Sequence, residues 1–211
     1  MRAIAIADYG AGNLRSVKKA LEHIGAAAEI TADPATIATA PGVVLPGVGA
    51  FGDAVHSLRQ RRLTETVRTA AAGNRPFLGI CLGQQLLFPS SEESPGAEGL
   101  GVLPGAVLRI PGGALPGGGT RKVPHIGWNA LRLLRADGIF EGVPACAYVY
   151  FVHSYYVKAA REAQVAARTE YGVTIDAAVS NGLMTATQFH PEKSGEIGLH
   201  MLRNFLRICQ N

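Results

Sequence analysis

The chain has 211 residues, 47% of them hydrophobic and 17% charged, with a formal net charge of +4. That length fits a single domain spanning residues 1–211, with a core large enough to need no disulfide or metal staple. No run approaches the roughly 18 apolar residues of a membrane span, and the apolar start of the chain stops at Asp8, too soon for a signal peptide.

The three cysteines, Cys81, Cys146 and Cys209, are odd in number, and their spacing fits neither a metal site nor a disulfide framework. A reduced, cytoplasmic setting is the simplest expectation. The basic residues are scattered except for Arg59, Arg61 and Arg62. No aromatic residue is interleaved with that cluster for base stacking, so it reads as a solvated helix face and not a nucleic-acid footprint.

Residues 3–8 read as a buried strand. Gly10-Ala11-Gly12 makes a turn, and Asn13 is suited to cap the following helix. Leu14, Val17, Leu21 and Ile24 recur at helical spacing, with Lys18, Lys19 and Glu22 opposite, until Gly25 stops the helix. Residues 26–31 form a second strand, and Val43-Val44-Leu45 a third that ends in Pro46-Gly47. A helical pattern runs from about Asp53 to Ala72 with a break near Gln60, residues 76–80 form a fourth strand, and Leu82 onward is helical. From Gly99 to Thr187 short strand-like runs alternate with Gly and Pro, and a last helix covers about Glu196 to Cys209. The pattern predicts an α/β fold: a mostly parallel, doubly wound central sheet with helices on both faces and a small antiparallel extension. The stretch 111–119, rich in Gly and Pro, reads as a flexible loop without a function.

The most informative segment is 76–87. A buried strand runs into Gly79-Ile80-Cys81-Leu82-Gly83, and an amphipathic helix follows. This is the nucleophile-elbow pattern with Cys in place of Ser. A sharp strand-to-helix turn crowds its own backbone, which explains both glycines. It strains the nucleophile and places the sulfur at a helix N-terminus, where thiolate is favoured. Cys146 and Cys209 lack such surroundings and read as ordinary small apolar residues.

A thiolate needs a base. Of six histidines, His190 follows a strand and sits in His190-Pro191-Glu192. A residue before Pro is held extended, and in extended chain positions i and i+2 project to one side. Glu192 can then orient the His190 imidazole, the base-plus-orienter arrangement of a triad.

Residues 47–52 match G-x-G-x-x-G literally, but they follow the third strand, and the next strand ends without the acid that a dinucleotide site needs. A glycine turn beside an elbow can instead aim backbone N–H groups at a developing oxyanion. The candidates are the N–H of Val48 and that of Leu82.

Residues 79–86 together with Gln188-Phe189-His190-Pro191-Glu192-Lys193 resemble the class I, triad-type glutamine amidotransferases. Within that class, residues 8–14, 45–51, 122–129 and 150–155 resemble the glutaminase subunits of imidazole glycerol phosphate synthases. The resemblance spans nearly the whole chain. It implies that Cys81 attacks the side-chain amide of glutamine, that His190 protonates the departing ammonia, and that water hydrolyses the resulting thioester. It further implies that Gly47, Gly49, Gln85, Ser154 and Tyr155 hold glutamine, with Gly47 permitting a peptide flip at the oxyanion site. Ammonia would pass to a (β/α)8-barrel cyclase subunit in a heterodimer, docked over Asn13, Pro124, His125, Trp128, Tyr150 and Lys193. No metal and no cofactor is implied.

Gln84 stands where the family usually has Met, and Pro89 follows the elbow helix, which would bend or end it early. Three other readings stay open at this point: a glutaminase serving a different synthase, a cysteine peptidase or esterase on the same elbow, and a nucleotide-binding module using the glycine turns.

Overall fold

The structure is a computed structural model that describes residues 2–113 and 120–210, so part of the glycine-rich 111–119 loop lies outside the described residues. The first half alternates β1 (Ile4–Ala7), α1 (Leu14–His23), β2 (Ala28–Thr31), α2 (Pro34–Thr39), β3 (Val43–Gly47), α3 (Phe51–Gln60), α4 (Thr64–Ala72), β4 (Phe77–Cys81) and α5 (Leu82–Gln85). The second half adds β5 (Gly105–Arg109), β6 (His125–Ala130), β7 (Arg132–Leu133), β8 (Tyr148–His153), β9 (Tyr155–Ala159), β10 (Val165–Glu170), β11 (Thr174–Asn181), β12 (Met184–Thr187) and α6 (Gly195–Gln210).

Eight strands form one sheet in the order β2-β1-β3-β4-β12-β11-β10-β7. The first five are mutually parallel, and β11, β10 and β7 extend the sheet antiparallel. Two separate antiparallel pairs, β5 with β9 and β6 with β8, lie outside it. This is the expected architecture.

Alternation along the strands sends side chains to two cores. Ala5, Ala7 and Phe77 meet Ile37, Leu58 and Val67 of α2, α3 and α4. Ile4, Ile6, Leu78 and Ile80 meet Val17 and Leu21 of α1 and Met201, Leu202 and Phe205 of α6 on the opposite face. Among the described residues no helix is long and apolar enough to cross a membrane.

Local chemistry sets the boundaries. Gly25, at φ 86, closes α1 with Ala26 N–H donating to the Leu21 carbonyl and Gly25 N–H to that of Glu22. The helical stretch breaks after Gln60, and Arg62 takes φ 57 there. Helix α2 was not foreseen, although its signal is local: Asp33 accepts from Ala35 and Thr36 N–H, with Pro34 in the first turn. Helix α5 is only four residues long. After it the carbonyls of Leu86 and Leu87 accept N–H bonds from Leu100, Val102 and Leu103, so the chain folds back on itself before Pro89 can obstruct a longer helix.

Candidate active site

Four parallel strands bring the predicted Gly47, Cys81 and His190, together with Tyr9, to one end of the sheet. Tyr9 follows β1, Gly47 ends β3, Cys81 ends β4, and His190 follows β12, all at C-terminal strand ends. That is where open α/β sheets place their ligands.

Cys81 has φ 55 and ψ −108, a backbone state that residues with a Cβ rarely adopt and that marks a strained elbow. The glycines permit it. A Cβ on Gly83 would run into the Leu45 carbonyl oxygen, and one on Gly79 would lie 2.9 Å from Ala186 Cβ. Because α5 is so short, its macrodipole is weak, and the main cationic partner for the sulfur is the His190 ring.

His190 is extended, at φ −102 and ψ 99, as Pro191 requires, and its N–H donates to the Tyr150 carbonyl at 3.0 Å. Its Nδ1 lies 2.7 Å from Glu192 Oε1, and both side chains are fully buried. The pairing is as expected, but its cause differs. Glu192 lies in a tight 3-10 turn, Pro191–Lys193, and that turn, not extended chain, brings the carboxylate over the ring. With Nδ1 donating to Glu192, Nε2 is left on the Cys81 side, where no hydrogen bond is made among the described residues. Burial opposes a charge on this ring, yet neighbouring Cys81 and Glu192 outweigh it and hold its pKa up at about 9. The Nε2–Sγ contact falls outside strict hydrogen-bond geometry, yet Cys81 raises the ring pKa both as a hydrogen-bonding neighbour and by charge, and a bound substrate can tighten the alignment.

Asn13 is a correction. It holds the N-cap position of α1 in a left-handed conformation, φ 73, and makes no cap hydrogen bond. Its amide instead donates to Glu192 Oε1 at 2.6 Å.

In front of Cys81 lies a cavity of about 300 Å³. Val48, Gly49, Leu82, Gln85, Ser154 and Tyr155 line it. Gly47 is behind this wall, fully buried, and a Cβ there would strike the Tyr9 hydroxyl. The left-handed residue of the turn is Gly49, φ 109, so the freedom attributed to Gly47 belongs to its neighbour, and Gly47 is demanded by space. A thiol beside a buried imidazole–carboxylate pair, opening on a small cavity, is equipped for nucleophilic attack on an acyl carbon.

Residues 5–209 match the family model of the class-I glutamine amidotransferases. The chain belongs to that family. It is 49% identical over 211 residues to the imidazole glycerol phosphate synthase subunit HisH of Moorella thermoacetica, covering 100% of this chain and 97% of that one. It is 51% identical over 205 residues to the subunit of the same name from Geobacter metallireducens, covering 97% and 98%. A solved glutamine amidotransferase superposes over 99% of this chain and 100% of its own with a TM-score of 0.75 at 22% identity, a likeness of fold.

The amidotransferase site includes residues the sequence reading did not single out. Gln188 is buried and its Nε2 lies 3.6 Å from Cys81 Sγ. Glu93 and His153 line the cavity. Tyr9 is buried with its hydroxyl unpartnered among the described residues, and burial together with the charge of Cys81 pushes its phenol far above the ordinary range. Gln84, the departure in the elbow helix, is fully buried. Its Nε2 donates to the Asp176 carbonyl at 3.3 Å while its Oε1 has no partner among the described residues, so the substitution alters packing behind the elbow and removes no group from the site.

The residues predicted to meet a partner separate by strand alternation. Ile126, Trp128 and Tyr148 face outward from the β6–β8 pair, exposed by 60%, 54% and 60%. Tyr150 shares that face, edge-on to Trp128 with ring centroids 6.1 Å apart, and Lys193 Nζ lies 5.8 Å from its ring centre. Pro124 is exposed at the cavity rim. His125 points the other way and is 2% exposed, so its side chain is not on that outward face.

Proposed function

We propose that this amidotransferase is the glutaminase subunit of an imidazole glycerol phosphate synthase, and that it passes ammonia to a (β/α)8-barrel cyclase. The observation that carries the chemistry is the Cys81 thiol in the cavity wall beside the buried His190–Glu192 pair. Full-length identity near 50% to subunits of that name supports the pathway.

The Cys81 thiolate attacks the side-chain amide carbon of glutamine. The oxygen becomes an oxyanion held by the N–H groups of Val48 and Leu82. His190 Nε2–H protonates the amide nitrogen, the C–N bond breaks, and ammonia leaves a γ-glutamyl thioester. Water then attacks the thioester, giving its proton to the now neutral His190, and glutamate departs from the regenerated thiolate. Glu192 keeps the proton on Nδ1 and offsets the imidazolium charge. Gly49, Gln85, Ser154 and Tyr155 hold glutamine, and the Glu93 carboxylate is the natural counter-charge for its α-ammonium. The partner covers the outward face of β6–β8, with Trp128, Tyr150, Pro124 and Lys193 in contact, and the enzyme works as one cytoplasmic domain.

The test is glutamate release from glutamine, with and without a barrel cyclase subunit and its ribonucleotide substrate, for wild type and Cys81→Ala. Release that appears chiefly with the partner and vanishes in the variant supports the whole reading. Strong release indifferent to the cyclase would keep the glutaminase and remove the pathway. No Cys81-dependent release under any condition would overturn both.

A further inference from the structure

From His125 through His153, which lines the cavity, two histidines that the mechanism does not use form a continuous polar line to the nucleophile. His125 stacks between Phe151 and Tyr171, with ring centroids 4.7 and 3.9 Å away. Its Nδ1 lies 3.1 Å from His153 Nε2, and His153 Nδ1 lies 2.8 Å from the Tyr155 carbonyl oxygen. That same oxygen accepts from Gln85 Nε2 at 3.0 Å, and Gln85 Nε2 also donates to Gln188 Oε1 at 3.1 Å. Gln188 Nε2 then reaches the Cys81 sulfur.

Donor and acceptor rules fix every proton on this line. A carbonyl only accepts, so His153 carries its proton on Nδ1 and presents a bare Nε2. His125 must then donate from Nδ1 and accept at Nε2. The neighbouring Asn129 agrees: its Oδ1 accepts from Ala130 N–H at 2.8 Å, which turns Nδ2 toward His125 Nε2 at 3.4 Å. Burial holds both rings neutral, lowering the His125 pKa to about 4 and that of His153 to about 3. At the far end, the two N–H groups of Gln85 are both spent on protein acceptors. Its side-chain oxygen alone is left for a ligand in the cavity.

We infer that His153, held by His125, is a positioning residue for the glutamine site. Through the Tyr155 carbonyl it fixes the Gln85 amide as an acceptor-only contact. This ties the β6–β8 pair, whose outer face is the proposed docking surface, to the nucleophile. The inference rests on the glutaminase reading and goes beyond it by assigning the side-chain amide orientation that selects a donor-bearing substrate.

Two substitutions separate the hydrogen bond from the volume of the ring. His153→Asn keeps a donor near the position of Nδ1, whereas His153→Phe keeps the bulk and loses the donor. The expected result for His153→Phe is a rise of about tenfold in KM for glutamine, the scale of one lost positioning hydrogen bond. Alkylation of Cys81 by iodoacetamide, which needs no glutamine pocket, should stay within about twofold, and His153→Asn should recover most of the KM. His125→Phe, which preserves the stack, should give a smaller change in the same direction. Thermal unfolding of each variant checks that it is folded. In the wild type, 15N chemical shifts at neutral pH should show both imidazoles neutral and protonated on Nδ1. An unchanged KM in His153→Phe, an equal loss in His153→Asn, or an Nε2-protonated tautomer at either ring would overturn the inference. If the wild type releases no glutamate at all, the glutaminase reading fails instead, and the tautomers still decide whether the line exists.

Discussion

Asn13 donates its side-chain amide to Glu192 at 2.6 Å across 179 positions of chain, on the same Oε1 that accepts from His190. The other carboxylate oxygen, Oε2, is buried and has no partner among the described residues. The turn after the first strand thus clamps the orienting carboxylate from behind. Asn is also one of the few side chains that tolerates the left-handed backbone found there.

Replacing Asn13 by Gly keeps that backbone and removes the amide. A hydrogen bond to a charged group contributes about 1.5–3 kcal/mol, so Asn13→Gly should lower kcat for glutamate release by about 10- to 100-fold with little change in KM. Asn13→Asp would set a second carboxylate against Glu192 and should be worse. Steady-state kinetics of the two variants provides the check, and a kcat within twofold of wild type in both would show the clamp to be idle.

Gly47 and Tyr9 make a second pair open to test. A Cβ on Gly47 would collide with the Tyr9 hydroxyl and sit 3.1 Å from Leu82 Cβ. Overpacking of this kind costs about 1–3 kcal/mol. Tyr9→Phe removes a buried hydroxyl that has no partner among the described residues, and by itself should be neutral or slightly stabilising. In the Gly47→Ala background the same change should return most of the lost stability. Urea unfolding of the four proteins in the double-mutant cycle measures the coupling, and additive effects would mean that the phenol is not what excludes a side chain at 47.

The charge state of His190 predicts a pH dependence. Its folded pKa, about 9, lies above the ordinary 6.5 despite burial, because Cys81 and Glu192 favour the imidazolium. A raised pKa stabilises the fold while the group is protonated in both states. That contribution is complete below about pH 6.5 and is lost as pH rises through 9. Stability should therefore fall across that interval in wild type and fall less in Cys81→Ala or Glu192→Gln, where burial lowers the ring pKa. NMR titration of His190 in the three proteins tests this directly. An unshifted titration near 6.5 in wild type would rule it out.

The elbow and the parallel half of the sheet were readable because their signals are local. A five-residue apolar strand, two obligate glycines and a proline after the histidine each act on their own neighbourhood. The short helix α2 had a local signal as well, in Asp33-Pro34, but six residues carry too little periodicity to be separated from a turn. The contacts of Asn13 and Gln188 were not readable, since both depend on residues more than a hundred positions away. The family resemblance places both His125 and Trp128 on the docking surface. Only the register of β6 against β8 shows that residues 125 and 128 fall on opposite faces.

That register also makes the outward face a specific target. Trp128 stands 54% exposed between Ile126 and the edge of Tyr150, and large aromatics at the centre of an interface carry a disproportionate share of its energy. Trp128→Ala should weaken binding of the cyclase subunit by about 2 kcal/mol or more, about 30-fold, measured by calorimetry at fixed salt. The inward side of the same strand carries His125 and the line to Cys81, which Trp128 does not touch. Iodoacetamide labelling of Cys81 in the free subunit should therefore be unchanged in Trp128→Ala, whereas glutamate release in the presence of subsaturating cyclase should drop with the lost affinity and return when the cyclase is raised in proportion. A drop that persists at saturating cyclase would mean that the indole also transmits the partner's effect to the site. Unaltered affinity would place the partner on a different face.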